Sequence, residues 1–343
     1  MKKYLLSGLL LLALLPTACI DAPDYKDNPR DNFEALWKIM DDGYCFFEYK
    51  QVNWDSVRSV YEARITDDMN RYALFDTLAS MLATLRDGHV NLYTSHDIGR
   101  YWTWQEDHPL NFHEELQRHY LGTDYRIAGN MKYTILLPDS IGYVHSPSFA
   151  SGYSDAGMDE VLYSFRNCKA LILDVRNNSG GSLDKAEAMA THFAPGIYTA
   201  GYIRHKIGKG HQDFSDPHAI RITPAKTVRW LRPTVLLTNR KVYSATNWLV
   251  SCLRDLPHVV QVGDSTGGGS GFPFSSELPN GWKVRYSSSQ MLNAAGRQIE
   301  FGIPPHLRVD VQVPYDFERK ADNIIEGARH LLHEHLFGRR QLK

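Results

Sequence analysis

A serine stands where an apolar run gives way to a helical pattern, in Thr238-Asn239-Arg240-Lys241-Val242-Tyr243-Ser244-Ala245-Thr246-Asn247-Trp248-Leu249-Val250. In such a strand-turn-helix setting the Ser244 hydroxyl can be offered as a nucleophile, with the Ala245 N–H facing the same side. The same hydroxyl would also serve as an ordinary cap for the helix that follows. A second junction of this kind runs Ala170-Leu171-Ile172-Leu173-Asp174-Val175 and then Arg176-Asn177-Asn178-Ser179-Gly180-Gly181-Ser182. Its two glycines let backbone N–H groups approach a ligand at the positive end of a helix, where they can hold a phosphate or a developing oxyanion. A tight turn with no ligand is the plainer reading, and no G-x-G-x-x-G dinucleotide loop is present.

The elements that must position these residues follow from apolar spacing. Phe33, Leu36, Trp37 and Met40, then Val57, Val60 and Tyr61, then Leu74, Leu78, Met81, Leu82 and Leu85 fall at helical intervals. Gly88 is placed to end the third helix as a left-handed cap, and residues 89–93 read as a strand. No element is assigned to 94–132. Residues 133–137 and 141–144 read as a hairpin around Pro138-Asp139-Ser140. Strands over 170–175, 233–237, 259–262 and 309–313 alternate with helices over 158–165, 183–193, 245–256 and 324–332, which predicts an α/β fold.

Taken together, "LILDVRNNSGGSL", "PTVLLTNRKVYSATNWLV" and "VVQVGDSTGGGSG" resemble, in order and spacing, the core of the tail-specific (C-terminal-processing) and tricorn-type serine peptidases. "SIGYVHSPSF" and "EFGIPPHLRVDVQV" belong to the resemblance, which covers about 133–315, and "LRDGHVNL" extends it upstream. It implies a crotonase/ClpP-like core of βα units behind a small N-terminal helical domain, with Ser244 as nucleophile and an oxyanion hole at Gly180, Gly181 and Ala245. The tail-specific branch takes the serine proton with a lysine in a G-K-G loop. The matching loop here is Gly267-Gly268-Gly269-Ser270-Gly271, and the lysine position is Gly269. The "GKG" at Gly208-Lys209-Gly210 precedes Ser244 and is coincidental, and Lys241 points outward near the strand end. The tricorn-type branch uses histidine and glutamate, which the resemblance places at His89 in Asp87-Gly88-His89 and at Glu300 in Glu300-Phe301-Gly302-Ile303-Pro304-Pro305. Neutral imidazole can accept the hydroxyl proton, and a carboxylate can orient the ring. A satisfied strand histidine and an exposed turn glutamate are the plainer readings. The serine that precedes the tricorn-type histidine is Gly88 here, and residues 93–132 are too few for a peptide-binding PDZ insert. Trp102 and Trp104 in that segment line a cleft or cover the core.

Composition is ordinary for a globular chain: 343 residues, 43% apolar, 22% charged, net charge −1. Without a basic run, nucleic acid is not an expected partner. Met1-Lys2-Lys3, an apolar stretch from Tyr4 to Leu15 and Leu15-Pro16-Thr17-Ala18-Cys19 read as an export signal of the bacterial lipoprotein type, with Cys19 as the acylated residue. The expected organisation is therefore signal 1–18, tether 19–30, helical domain 31–93, connecting segment 94–132 and peptidase core 133–343, lipid-anchored in the cell envelope. Cys45, Cys168 and Cys252 make no disulfide framework, and Cys168 and Cys252 are assigned to apolar helix positions. His330, His333 and His335 lack a closed metal-ligand pattern, and no cofactor is expected. The leading expectation is an exported serine peptidase acting on peptides through an acyl-enzyme. Its rivals are a degenerate relative that binds peptides or small ligands without cleaving them, and a crotonase-like enzyme acting on thioesters.

Overall fold

The computed structural model describes residues 25–337. The expected signal sequence and Cys19 lie outside that range. Helices α1 (Pro29–Gly43), α2 (Trp54–Glu62) and α3 (Arg71–Ala83) come first, each opened by an asparagine whose side chain accepts first-turn N–H groups. Strands β1 (Asn91–Tyr93) and β2 (Ile98–Arg100), helices α4 (Thr103–Glu106) and α5 (Glu114–Leu121) and strand β3 (Arg126–Ala128) follow, so the segment left without elements is structured. Then come β4 (Met131–Leu136), β5 (Ile141–His145), α6 (Asp155–Ser164), β6 (Ala170–Asp174), α7 (Leu183–Thr191), β7 (Tyr198–His205), β8 (His218–Ile222), β9 (Thr234–Thr238) and α8 (Ala245–Leu253). The chain closes with β10 (Val259–Gly263), β11 (Gly271–Glu277), β12 (Lys283–Asn293), β13 (Leu307–Arg308), α9 (Tyr315–Arg319) and α10 (Asn323–Phe337).

Two sheets organise the molecule. One runs β13-β10-β9-β6-β5-β4-β3, parallel from β13 through β5 and antiparallel beyond. Its central strands β6 and β9 are buried at every position because both faces are covered. Leu171, Leu173 and Leu236 face a core shared with α6, α7 and α8, while Ile172, Val235 and Leu237 face one shared with α10.

The second sheet is antiparallel, ordered β2-β1-β12-β7-β8 with β11 on the far edge of β12. Eleven-residue β12 pairs β1 through residues 283–285 and β7 through 289–293, leaving a gap on that edge. The turn after α1 fills the gap, with the Cys45 N–H donating to the Ser287 carbonyl at 3.0 Å. The N-terminal helices also share a core with Leu278, Trp282, Val284 and Tyr286, so the boundary expected at residue 93 does not separate two packing units.

Three local expectations are corrected. The left-handed residue after α3 is Arg86, φ 49, rather than Gly88. Residues 309–313 form no strand; the sheet closes two residues earlier at β13. Cys168 is buried in the turn after α6 and not on a helix, although Cys252 is on α8; the described cysteines Cys45, Cys168 and Cys252 are buried and free.

A buried ion network fixes the start of the glycine loop. The Arg176 guanidinium bonds both Asp174 oxygens (2.9 and 2.7 Å), Asp322 Oδ2 (2.8 Å) and the Asn111 carbonyl (3.1 Å), with all three charged side chains fully buried. Asp322 also caps α10 by accepting from the Ile324 and Ile325 N–H groups. Removing one partner of such a network strands the opposite charge without water, at a cost of about 3–5 kcal/mol. Asp322→Ala is therefore expected to lower unfolding free energy by about that amount in urea titrations. Asp322→Asn, which retains a capping oxygen, should cost less.

Candidate active site

Ser244 occupies the tight turn between β9 and α8 with φ 55 and ψ −125, a backbone conformation that costs a non-glycine residue about 1–3 kcal/mol. Three backbone bonds hold it: Ser244 N–H to the Gly268 carbonyl (2.9 Å), Tyr243 N–H to the Asn178 carbonyl (3.2 Å) and Gly267 N–H to the Val242 carbonyl (2.7 Å). The Ser244 side chain makes no capping bond to its helix. Its Oγ lies 3.0 Å from His89 Nε2 instead, so the capping role does not apply.

The glycine loop is tied to this turn through Asn178, whose Oδ1 accepts from the Thr246 hydroxyl (2.6 Å) and the Gly180 N–H (3.0 Å). Gly180 and Gly181 have φ +99 and +133, and a Cβ on Gly181 would fall 2.1 Å from the Ala150 nitrogen, so no larger residue fits. Of the three N–H groups expected to face an oxyanion, that of Gly180 is committed to Asn178. Those of Gly181 and Ala245 donate to no partner among the described residues, and both residues line one cleft with Ser244.

His89 sits two residues before β1 and is 4% exposed. Its backbone N–H donates to Asp87 Oδ1 at 2.8 Å, and its ring packs 5.0 Å from that of Tyr243. Burial pushes the imidazole pKa down to about 4, Asp87 opposing the shift and Arg285 and Lys50 adding to it. The ring is therefore neutral at pH 7, with Nε2 turned to the serine. Nδ1 makes no well-formed hydrogen bond, although the Gly271 backbone influences the ring.

Glu300 is buried, as a catalytic carboxylate would be, yet neither a hydrogen bond nor an ion pair joins it to His89. Its Oε1 pairs with Lys50 Nζ at 2.7 Å, and its Oε2 accepts the Ser270 N–H at 2.7 Å. In place of the direct carboxylate–imidazole contact implied by the resemblance, Glu300 pairs with Lys50, which also meets Asp87 Oδ2 at 3.3 Å, and Asp87 bonds His89 only at its backbone N–H. Asp87 further accepts from the hydroxyls of Tyr44 (2.9 Å) and Ser287 (3.0 Å). Burial alone would lower the Lys50 pKa, but the two carboxylates raise it. Burial would raise the Asp87 pKa, and Lys50 with the hydrogen bonds brings it down; Glu300 stays raised by burial. Lys50 carried no signal in the sequence, since a lysine in a turn belongs to no apolar pattern. The adjacency of Asp87 to His89 was the one available hint of the acid cluster.

The departures at Gly269 and Gly88 share one physical cause. Tyr243 and Trp104 stack with ring centroids 4.1 Å apart against the turn. A Cβ on Gly269, φ +75, would meet the Tyr243 ring at 2.3 Å, and one on Gly88 would meet Trp104 Nε1 at 2.6 Å and the Tyr243 hydroxyl at 2.8 Å. The aromatic pair fills the space that a loop lysine or a serine before the histidine would need.

The cleft has two lobes beside Ser244. One, about 370 Å3, is floored by Leu183, Trp248, Met291 and Ile299. The other, about 600 Å3, is lined by Gly88, His89, Trp102, Trp104, Lys241 and Arg285. Trp104 thus belongs to both proposed settings, packing on Tyr243 and lining the cleft. Lys241 borders the second lobe rather than pointing away, while Lys209 is exposed near Asp42 at 3.8 Å. His330 pairs with Glu334 on α10, and no group of three potential metal ligands occurs among the described residues. Asn177 accepts from the Asn239 side-chain amide at 2.7 Å.

Residues 140–309 match the model of peptidase family S41, and residues 25–83 match that of the tricorn protease C1 domain. A crystal structure of a candidate peptidase from Parabacteroides merdae ATCC 43184 is 50% identical, superposes with TM-score 0.86, and the match covers 90% of this chain and 97% of that one. The carboxy-terminal processing protease CtpA of Bacillus subtilis (strain 168) is 23% identical over 189 residues, covering 53% of this chain and 39% of that relative's length. Mature CPAF complexed with lactacystin is similar in fold alone, at 12% identity, TM-score 0.69 and coverage of 90% and 98%.

The packing of Trp104 makes a testable claim. Gly88→Ser should lower the melting temperature, and Trp104→Ala in the same chain should recover part of the loss. A double-mutant cycle that is additive within about 0.5 kcal/mol would mean the two positions do not contend for one space.

Proposed function

The chain belongs to peptidase family S41 and is a serine-type peptidase, and from that premise we propose that Ser244 attacks a peptide carbonyl with His89 as its base. The observation that carries this reading is the 3.0 Å contact between Ser244 Oγ and His89 Nε2. His89 takes the hydroxyl proton as the acyl-enzyme forms and returns it to the leaving amine. The uncommitted Gly181 and Ala245 N–H groups stabilise the oxyanion, with Gly180 shaping the turn. Glu300 acts at one remove. With Asp87 and Glu300 ionised and Lys50 protonated, the buried cluster carries net charge −1, and an imidazolium would bring it to zero. That balance offsets part of the burial that keeps the resting ring neutral, and so steadies the imidazolium formed when the proton is taken up. The first lobe, with its apolar floor, receives a side chain on the acyl side of the scissile bond.

Export and a lipid anchor at Cys19 remain part of this proposal, supported by the basic start, the short apolar stretch and the cysteine. A lipoprotein from Streptococcus agalactiae has a similar fold at 15% identity. Among the described residues no helix is long and apolar enough to cross a membrane. A binding protein without catalysis is the second reading, favoured by the absence of a carboxylate on His89 Nδ1.

A fluorophosphonate should label Ser244 stoichiometrically, as mapped by mass spectrometry, and Ser244→Ala should abolish both labelling and peptide hydrolysis. Because the free-enzyme imidazole is held near 4, the acid limb of kcat/KM should lie well below 6.5, with activity retained as pH falls to about 5. His89→Ala should reduce kcat by several orders of magnitude, and Glu300→Gln should reduce it less. Folded protein that resists labelling from pH 5 to 9 supports the binding protein. Separately, Cys19→Ser should shift the protein from the membrane to the soluble fraction or leave the precursor uncleaved. Normal soluble export after cleavage elsewhere removes the anchor.

A further inference from the structure

Arg285 borders both lobes of the cleft and forms no ion pair among the described residues. It lines both lobes, one with Ser244, Ala245 and Trp248 and the other with Ser244, His89 and Gly88. Its backbone is fixed on β12, opposite Asn91 of β1 on one edge and Ser275 of β11 on the other. Among the described residues its guanidinium makes no ion pair and no hydrogen bond, whereas Arg176, Arg308 and Arg329 each meet a carboxylate at 2.6–2.7 Å. A half-buried guanidinium with five unused donors in a substrate cleft is suited to a planar, anionic acceptor.

The second lobe strengthens this assignment. Lys241 lines it together with Arg285, and no Asp or Glu does; Asp184, the acid at the cleft, borders the other lobe. On the catalytic reading above, the base must hand its proton to the leaving amine, so the lobe holding His89 receives the leaving-group segment of the substrate. We infer that Arg285, aided by Lys241, binds a carboxylate on the leaving-group side of the scissile bond, making the enzyme selective for peptides with an acidic group there. The carboxylate can come from an Asp or Glu side chain or from the free C-terminus of a short released segment. Both present two oxygens to a guanidinium fork, which adds direction to the charge. Trp102 and Trp104 supply apolar walls for the intervening atoms.

The inference rests on the peptidase reading for its orientation but can be tested without turnover. Fluorescent peptides that share one acyl-side sequence and carry Glu, Gln or Lys after the scissile bond, each as free acid and as amide, are titrated against Ser244→Ala protein by polarisation. Where a carboxylate is present on the leaving-group side, Kd should be lower by roughly tenfold or more than in the uncharged isostere. That ratio should shrink in high salt. It should fall to near one in Ser244→Ala/Arg285→Gln and turn toward the Lys peptide in Ser244→Ala/Arg285→Glu. Preference for Glu over Gln in the amides identifies a side-chain source, and preference for acid over amide among the Gln peptides a terminal one. In the active enzyme the same ratios should appear in kcat/KM. Equal binding of all the peptides, or a preference that survives Arg285→Gln with the fold intact by circular dichroism, overturns the inference. Unlabelled Ser244 in the wild type would count against the peptidase reading alone.

Discussion

One buried ammonium, that of Lys50, ties the catalytic cleft to the rest of the fold. It is sealed from water with Asp87 on one side and Glu300 on the other. An unpaired charge in such a place would cost several kcal/mol, so each member is tolerable only when the others are present. They come from three distant parts of the chain: the turn after α1, the approach to β1 and the segment after β12. The helices, the antiparallel sheet and the late glycine loop must therefore be assembled together before the charges are compensated. That requirement explains why the N-terminal helices share a core with β12 instead of standing apart from it.

The same assembly decides which basic groups can reach the serine. A lysine from the glycine loop would need a side chain at Gly269, where the Tyr243 ring already lies. Because Tyr243 directly precedes Ser244 and stacks on Trp104, the aromatic pair cannot retreat without disturbing the turn that strains the serine into place. Packing has closed the lysine route. It has left the imidazole, wedged beside Tyr243, as the basic group within reach of Oγ.

Much of the parallel sheet was legible because its strands are short, apolar at their centres and bounded by turn residues, as in Ala-Leu-Ile-Leu-Asp and Thr-Val-Leu-Leu-Thr. The turns that hold Ser244 and the two glycines were legible for the same reason, since they follow such strands. The antiparallel sheet was not. Strands β7 and β11 read Tyr-Thr-Ala-Gly-Tyr-Ile-Arg-His and Gly-Phe-Pro-Phe-Ser-Ser-Glu, mixed in polarity because they lie near the edges of a sheet exposed in part to solvent. Their order depends on β12 pairing with β1 almost 200 residues away, and no local pattern encodes that. Lys50 and Arg285 escaped notice on similar grounds. A lysine in a turn and an arginine in a polar strand look like surface residues until the partners that bury one, and the cleft that frames the other, are assembled. Glu300 was found through its neighbours in sequence, but its hydrogen bonds depend on Lys50, which those neighbours do not specify.

The division of charge around His89 follows from these placements. Burial above all, with Arg285 and Lys50, opposes protonation of the ring, and Asp87 favours it. A ring so placed is a ready acceptor over a wide pH range but a reluctant holder of a proton. The arrangement differs from a carboxylate bonded directly to Nδ1, which fixes a tautomer through one contact. Here orientation comes from the backbone bond to Asp87 and from the Tyr243 face, while compensation comes from a cluster two contacts deep. Such a site depends on packing more than on any single catalytic hydrogen bond. Tyr44, Ser287 and Ser270, none of which bonds the serine, therefore bear on the electrostatics around His89 through the carboxylates they hold.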